Sequence, residues 1–174
     1  AETGDGKVWV VCDGGYRVVS MAPGTVPEAR RNFSEPVVAL ATGSDGIVFA
    51  SASHVYPSFC GEVDRGPVRI DGGISSLAFS DDGSELYAGT HTGGVVVLDD
   101  KMEVDVRPVS GRLPVDVSAM TVDSHGIVWI VDSSPGVVRF RPSDRDFKRF
   151  VLPLDTVDYF QDPLCVIKER NDVV

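Results

Sequence analysis

His54, His91 and His125 are the chain's three histidines, and histidine is the side chain whose ordinary titration lies nearest neutrality. His54 and His91 each sit in a polar, small-residue stretch, "SASHVY" and "GTHTGG", between two apolar runs. An imidazole at such a loop can serve as a metal ligand or as half of an acid–base pair. A histidine metal site needs a third ligand and carboxylates that orient the rings, and neither spacing supplies one. Cys12, Cys60 and Cys165 are odd in number and far apart, with no CxxC pair, so neither a zinc site nor a disulfide framework is expected. The acidic pairs Asp81-Asp82, Asp99-Asp100 and Asp144 with Asp146 lack EF-hand spacing and read as turn residues. "THTGG" at 90–94 has no lysine and no following helix, which excludes a phosphate loop, and no GxSxG elbow occurs. The reading is therefore no catalytic set, no metal and no cofactor. The candidate ligand-binding residues are His54, Tyr56, His91, Arg112 and Asp132, with Arg30, Arg31 and Asp116 near them in the same loops.

The elements that must position these residues recur along the chain. Four turn-plus-strand segments align on Gly6, Gly46, Gly83 and Gly126, at spacings of 40, 37 and 43 residues. In the last three an apolar strand precedes the turn, at 37–41, 74–79 and 117–122. A second strand, a second turn and a third strand follow, and a more polar fourth strand closes the unit near 104–109 and 147–152. Asp-Gly and His-Gly supply the positive φ of tight turns, and a neighbouring Asp or Ser bonds to its own turn backbone. The second and third strands are continuous apolar runs, which predicts sheets covered on both faces. Helical signal is confined to residues 26–32, "VPEARRN", good for a turn at most beside Pro23, Pro27 and Pro36.

Four strands repeating about every 40 residues is the pattern of β-propeller blades. The expected class is all-β: about four blades of four antiparallel strands, as a closed small ring or as part of a larger propeller. The alternative is a β-sandwich. The repeats would span residues 1–36, 37–73, 74–116 and 117–153 of one domain. The tail, 154–174, carries "LCVIK" as a possible closing strand or the start of a fifth blade.

At 123–150 the residues Asp123, Gly126, Trp129, Gly136, Phe140, Pro142, Phe147 and Phe150 resemble the periplasmic two-component-regulator type of propeller repeat. "SDDGSELYAGTHTGG" resembles that repeat too, and is similar to WD-repeat and lyase-type propellers with their D-D-G turns. The aromatic position is Trp9 and Trp129 in two repeats but Phe49 and Tyr87 in the others, and no WD dipeptide ends a third strand. The resemblance implies a fold. Propellers host unrelated functions, so it carries no activity with it.

In such a fold the second-to-third-strand connections share one end with the blade-to-blade links. That end should gather Cys12–Tyr16, 53–62, 91–93 and 132–135 with the long links 22–36 and 110–116. His125 falls at the opposite end, as a turn residue. Uneven loops without a catalytic set suit a non-catalytic module that binds a protein or peptide there, as a piece of a larger scaffold. Two alternatives stand beside it. One is a propeller hydrolase, lyase or small-ligand sensor using His54, His91 and Asp132. The other is a half-propeller completed by self-association or a second chain.

Composition bounds these readings. The 174 residues are 43% hydrophobic, enough for one domain with a sizeable core. Net charge of −10 opposes binding to a phosphate backbone, so nucleic acid is not an expected partner. No apolar run approaches the ~20 residues that span a bilayer, and no membrane partner is expected. Three unpaired cysteines favour a reducing, cytoplasmic setting. Residues 1–6 lack a signal peptide and a Met, so secretion stays open; Asn32-Phe33-Ser34 would matter only in a secreted chain.

Overall fold

The structure is a computed structural model, which describes residues 7–12, 15–20, 30–32, 35–43, 46–59, 66–92, 94–105, 116–132, 136–144 and 146–151. All regular elements among the described residues are strands, and every pairing is antiparallel. The first sheet holds β1 (Lys7–Cys12), β2 (Gly15–Ser20) and β3 (Arg30–Asn32) in that order. The second holds β4 (Ala39–Gly43), β5 (Gly46–Ala50), β6 (His54–Phe59) and β7 (Val68–Arg69). The third runs β8 (Ile74–Phe79), β9 (Leu86–Thr90), β10 (Gly94–Leu98) and β11 (Val104–Asp105). The fourth runs β12 (Val117–Val122), β13 (Val128–Asp132), β14 (Val137–Arg141) and β15 (Asp146–Phe150). Each is a simple up-and-down meander, which short hairpin connections favour.

The second, third and fourth sheets stack face on face in chain order, and the leading strand β8 lies beside both β4 and β12. Three layers in sequence, joined at their first strands, is a propeller-like arrangement; a two-layer sandwich would not place them so. β9 and β10 are buried at every position. Leu86, Ala88, Val96 and Leu98 pack toward the second sheet with Val48, Ala50 and Val55. Tyr87, Val95 and Val97 pack toward the fourth with Met120, Ile130 and Val138. The continuous apolar runs thus read correctly as strands covered on both sides, and each fully buried Val, Leu or Ile stabilises by ~1.5–3 kcal/mol.

Neighbouring sheets share no strand ladder, so side chains satisfy part of the β8–β12 boundary. Ser75 Oγ donates to the Val117 carbonyl and lies 3.1 Å from that of Gly89. Met120 N–H donates to Ser76 Oγ at 3.1 Å.

Two expectations need correction. Arg30–Asn32 are not helical: they form β3, paired with Gly15–Arg17, because a strand partner overrides a weak local preference. Their placement in a free link therefore fails as well. The aromatics aligned on the turn glycines are not equivalent. Counted between the last paired positions, the first hairpin connections are residues 44–45, 80–85 and 123–127, so their lengths differ. Tyr87 pairs with Ala78 and faces the next sheet, whereas Phe49 pairs with Leu40 and joins Ile47 in a cluster on the opposite face. A one-residue change in connection length swaps the two faces of a strand. Trp129 lies on the face of the fourth sheet turned away from the third, its ring 6.1 Å from that of Phe150.

Candidate functional site

The turn after β5 builds a highly connected polar group among the described residues. Ser51 is fully buried, and its Oγ donates to Glu35 Oε2. Ser53 Oγ donates to the same oxygen at 2.8 Å and lies 2.7 Å from His54 Nδ1. Glu35 Oε1 stands 3.5 Å from that nitrogen. Ser51 Oγ in turn receives the backbone N–H groups of His54, at 3.0 Å, and Ser53, at 3.3 Å. The Ser51 and Ser53 hydroxyls, with His54 adding to them, hold the Glu35 carboxyl below the usual carboxylate range despite some desolvation.

His91 is built on a similar plan one sheet further on. Its Nδ1 lies 2.9 Å from Asp116 Oδ1, and its backbone N–H donates to the Gly73 carbonyl at 2.9 Å. The two histidines occupy the same end of the stack. Ile74 N–H bonds Ala52 O, Gly73 meets His91, Asp116 holds His91, and Val117 pairs with Asp132.

Asp132 shares that end but is spent on the fold. It is 5% exposed and paired two-pronged with Arg149, by Nη1 to Oδ1 at 3.0 Å and by Nη2 to Oδ2. Tyr56 is half-buried against Ile47 and Phe49, with its ring 6.2 Å from that of His54. Arg112 lies outside the described residues, as do 13–14, 60–65, 106–115, 133–135 and the tail from 152 on. Arg30 and Arg31 lie in β3. The structure therefore brings His54 and His91 to one end, each with a carboxylate. Glu35 was missed because it stands sixteen residues from Ser51 and looks like part of a link. The only hint in the sequence was the serine-rich "SASH", which can accept and donate around a carboxylate.

His125 is 75% exposed in the turn before β13, where Asp123 organises the backbone. Asp123 Oδ1 accepts from the N–H groups of His125 and Ile127, and Oδ2 accepts from Trp129 Nε1 at 2.8 Å. This is the turn role expected of it. At the same end an open cavity of about 450 Å³ is lined by Leu40–Gly43, Leu77–Ser80, Asp81, Gly83 and Met120–Val122. It sits between the three leading strands and is remote from His54 and His91. We assign the candidate site to the histidine end, because titratable groups with fixed partners converge there. No cluster of three or more His, Cys, Asp or Glu with metal-holding geometry occurs among the described residues.

Fold and site together define an all-β, propeller-like chain with a polar loop end. It is similar to the solved structure of a catalytically inactive histidine-to-alanine variant of virginiamycin B lyase from Staphylococcus aureus, with quinupristin. The TM-score is 0.68 at 14% identity, over 88% of this chain and 54% of the lyase. The chain thus spans about half the length of that relative in structure. No family model matches the sequence. No curated protein sequence matches it either. Among the described residues no helix is long and apolar enough to cross a membrane.

Proposed function

We propose that this chain is part of a β-propeller whose loop end, around His54 and His91, binds a protein or peptide partner without catalysis. One observation carries the reading. Of the three residues that a catalytic set at this end would use, Asp132 is buried and engaged by Arg149, while His54 and His91 are presented on neighbouring sheets. Stable, oriented polar groups on uneven loops are what recognition of a partner requires. The four sheets are then blades of a ring larger than this chain, in keeping with its match to about half of a propeller. A reducing, cytoplasmic setting goes with three widely spaced cysteines that form no CxxC pair.

The test is affinity capture from a lysate with the intact chain and with His54→Ala/His91→Ala. A partner retained by the first and lost by the second supports the reading; equal capture by both overturns it.

Two other readings have specific support. The structural relative is a lyase whose histidine-to-alanine variant is inactive, which favours acid–base chemistry at an imidazole here. Turnover of quinupristin by this chain, abolished in His54→Ala, would displace the binding-module reading. The outer face of the fourth sheet carries Trp129 with Phe150, 39% exposed, which favours completion by a further blade from a second copy or another chain. Light scattering at several concentrations would detect self-association.

A further inference from the structure

The hydrogen bonds around His54 decide which of its nitrogens carries the proton. Ser53 has one hydroxyl hydrogen, and the ionised Glu35 carboxylate, which can only accept, takes it at 2.8 Å. The 2.7 Å approach of Ser53 Oγ to His54 Nδ1 therefore needs Nδ1–H as the donor. The Glu35 Oε1 atom, 3.5 Å away, favours the same proton. His91 reaches the same state by a shorter argument, because Asp116 Oδ1 accepts from Nδ1 at 2.9 Å. In its neutral form each ring is left with the lone pair on Nε2, and no described residue donates to either one.

We propose that this end of the molecule takes a hydrogen-bond-donating cation, an ammonium or guanidinium group such as a Lys or Arg side chain of the partner, at the unprotonated Nε2 atoms of His54 and His91. Glu35 and Asp116 are positioning residues: each sets the tautomer and adds negative charge behind the ring. The proposal rests on the binding-face reading above and deepens it. Around the two rings the described charges are Glu35, Asp116 and Asp71, with Arg69 already bonded to Asp71 at 3.2 Å, so the local field is negative. The chain as a whole carries −10. An anionic ligand would meet two lone pairs and that field. A donor cation would complete both.

Imidazole ¹⁵N spectra of the intact chain test this at about pH 7.5, a unit above the ordinary histidine value. With three histidines in the chain, three ring systems are seen, and exposed His125 serves as the internal reference. His54 and His91 should each show a protonated Nδ1 and an unprotonated Nε2. Acetyl-arginine amide should then shift the Nε2 signals of both, and acetyl-glutamate amide should shift neither. In Glu35→Ala the His54 tautomer preference should be lost while His91 keeps its own. A protonated Nε2 on either ring of the intact chain, or a response to the glutamate probe alone or to neither probe, overturns the proposal. The binding-face reading fails separately, when capture by His54→Ala/His91→Ala equals that by the intact chain.

Discussion

Arg149 holds Asp132 with both ends of its guanidinium across the fourth sheet, from the outer strand β15 to the end of β13. A carboxylate whose sequence context suggests a loop-end ligand is thereby committed to structure. The pairing raises the Arg149 guanidinium further above its already high ordinary value, through the hydrogen bonds it donates to Asp132. Because the Asp132 side chain is only 4% exposed while that of Arg149 is 32%, the two partners are not equivalent. Arg149→Ala strands a buried charge and should cost about 3 kcal/mol, near the low end for a broken buried pair. Asp132→Ala/Arg149→Ala should recover part of that loss. Urea unfolding of the two variants checks the order; equal losses would mean that the pair is not coupled.

Three glycines should rank by what an added methyl meets. At Gly136 the new Cβ falls 2.2 Å from the Phe150 carbonyl oxygen, on a backbone with φ +123°, so Ala there must move strand β15. At Gly89 it falls 2.5 Å from Val117 Cγ1, a stiff side chain that is fully buried, and about 1–3 kcal/mol of overpacking is expected. At Gly126 it meets open space, and only the positive φ of +70° opposes it, at roughly 1–2 kcal/mol. Thermal and urea unfolding of the three Ala variants should place Gly136→Ala as the most damaging and Gly126→Ala among the mild ones.

The boundary between the third and fourth sheets should depend on two hydroxyls. Ser75→Ala/Ser76→Ala leaves the Val117 carbonyl and the Met120 N–H without these partners, at about 1–3 kcal/mol each where water cannot replace them. Amide exchange at Met120 should accelerate more than at Leu77 or Ala88, which sit in the third sheet's own ladder. Uniform acceleration would point to global destabilisation instead.

Stability should fall in acid through carboxylates that anchor turns. Ser80 and Ser84 hydrogen bonds bring Asp82 down to about 2. At Asp123 burial opposes ionisation, but bonds from Trp129, Ile127 and His125 outweigh it and the net shift is downward. Glu35 is lowered by Ser51 and Ser53. Folded carboxyls with depressed values release protons more readily than the unfolded chain. Their contribution is therefore full above the ordinary carboxylate range of about 4 and is lost as pH falls toward about 2. Unfolding free energy measured from pH 5 downward should decline over that window. The decline should be shallower in Asp123→Asn, whose amide cannot carry the charge; an unchanged acid limb in that variant would refute the assignment.

Much of the architecture was legible because strand geometry writes itself into local patterns. The apolar runs at 86–90 and 94–98 marked strands buried on both faces, since a half-exposed strand would have alternated. The Asp-Ser-His-Gly turn marked His125 as structural, since Asp123 bonds backbone only two and four residues away. The polar closing strand was read from its charges, and β15 is mostly exposed. The equivalence of Phe49, Tyr87 and Trp129 was misread because connection length sets the face, and a glycine anchor cannot reveal a one-residue difference.

What sequence alone determined here is whatever depends on near neighbours: strands, turns, the repeat, and loops as the place for polar side chains. Tertiary structure decided which distant charges meet. Glu35 joining Ser53 and His54 and Arg149 claiming Asp132 follow from strands pairing within one sheet, and Asp116 reaching His91 across twenty-five residues follows from the third and fourth sheets stacking. The reason is physical. A backbone turn needs residues two to four apart, whereas a charge finds its partner through space, after the hydrophobic faces have set the sheets against each other.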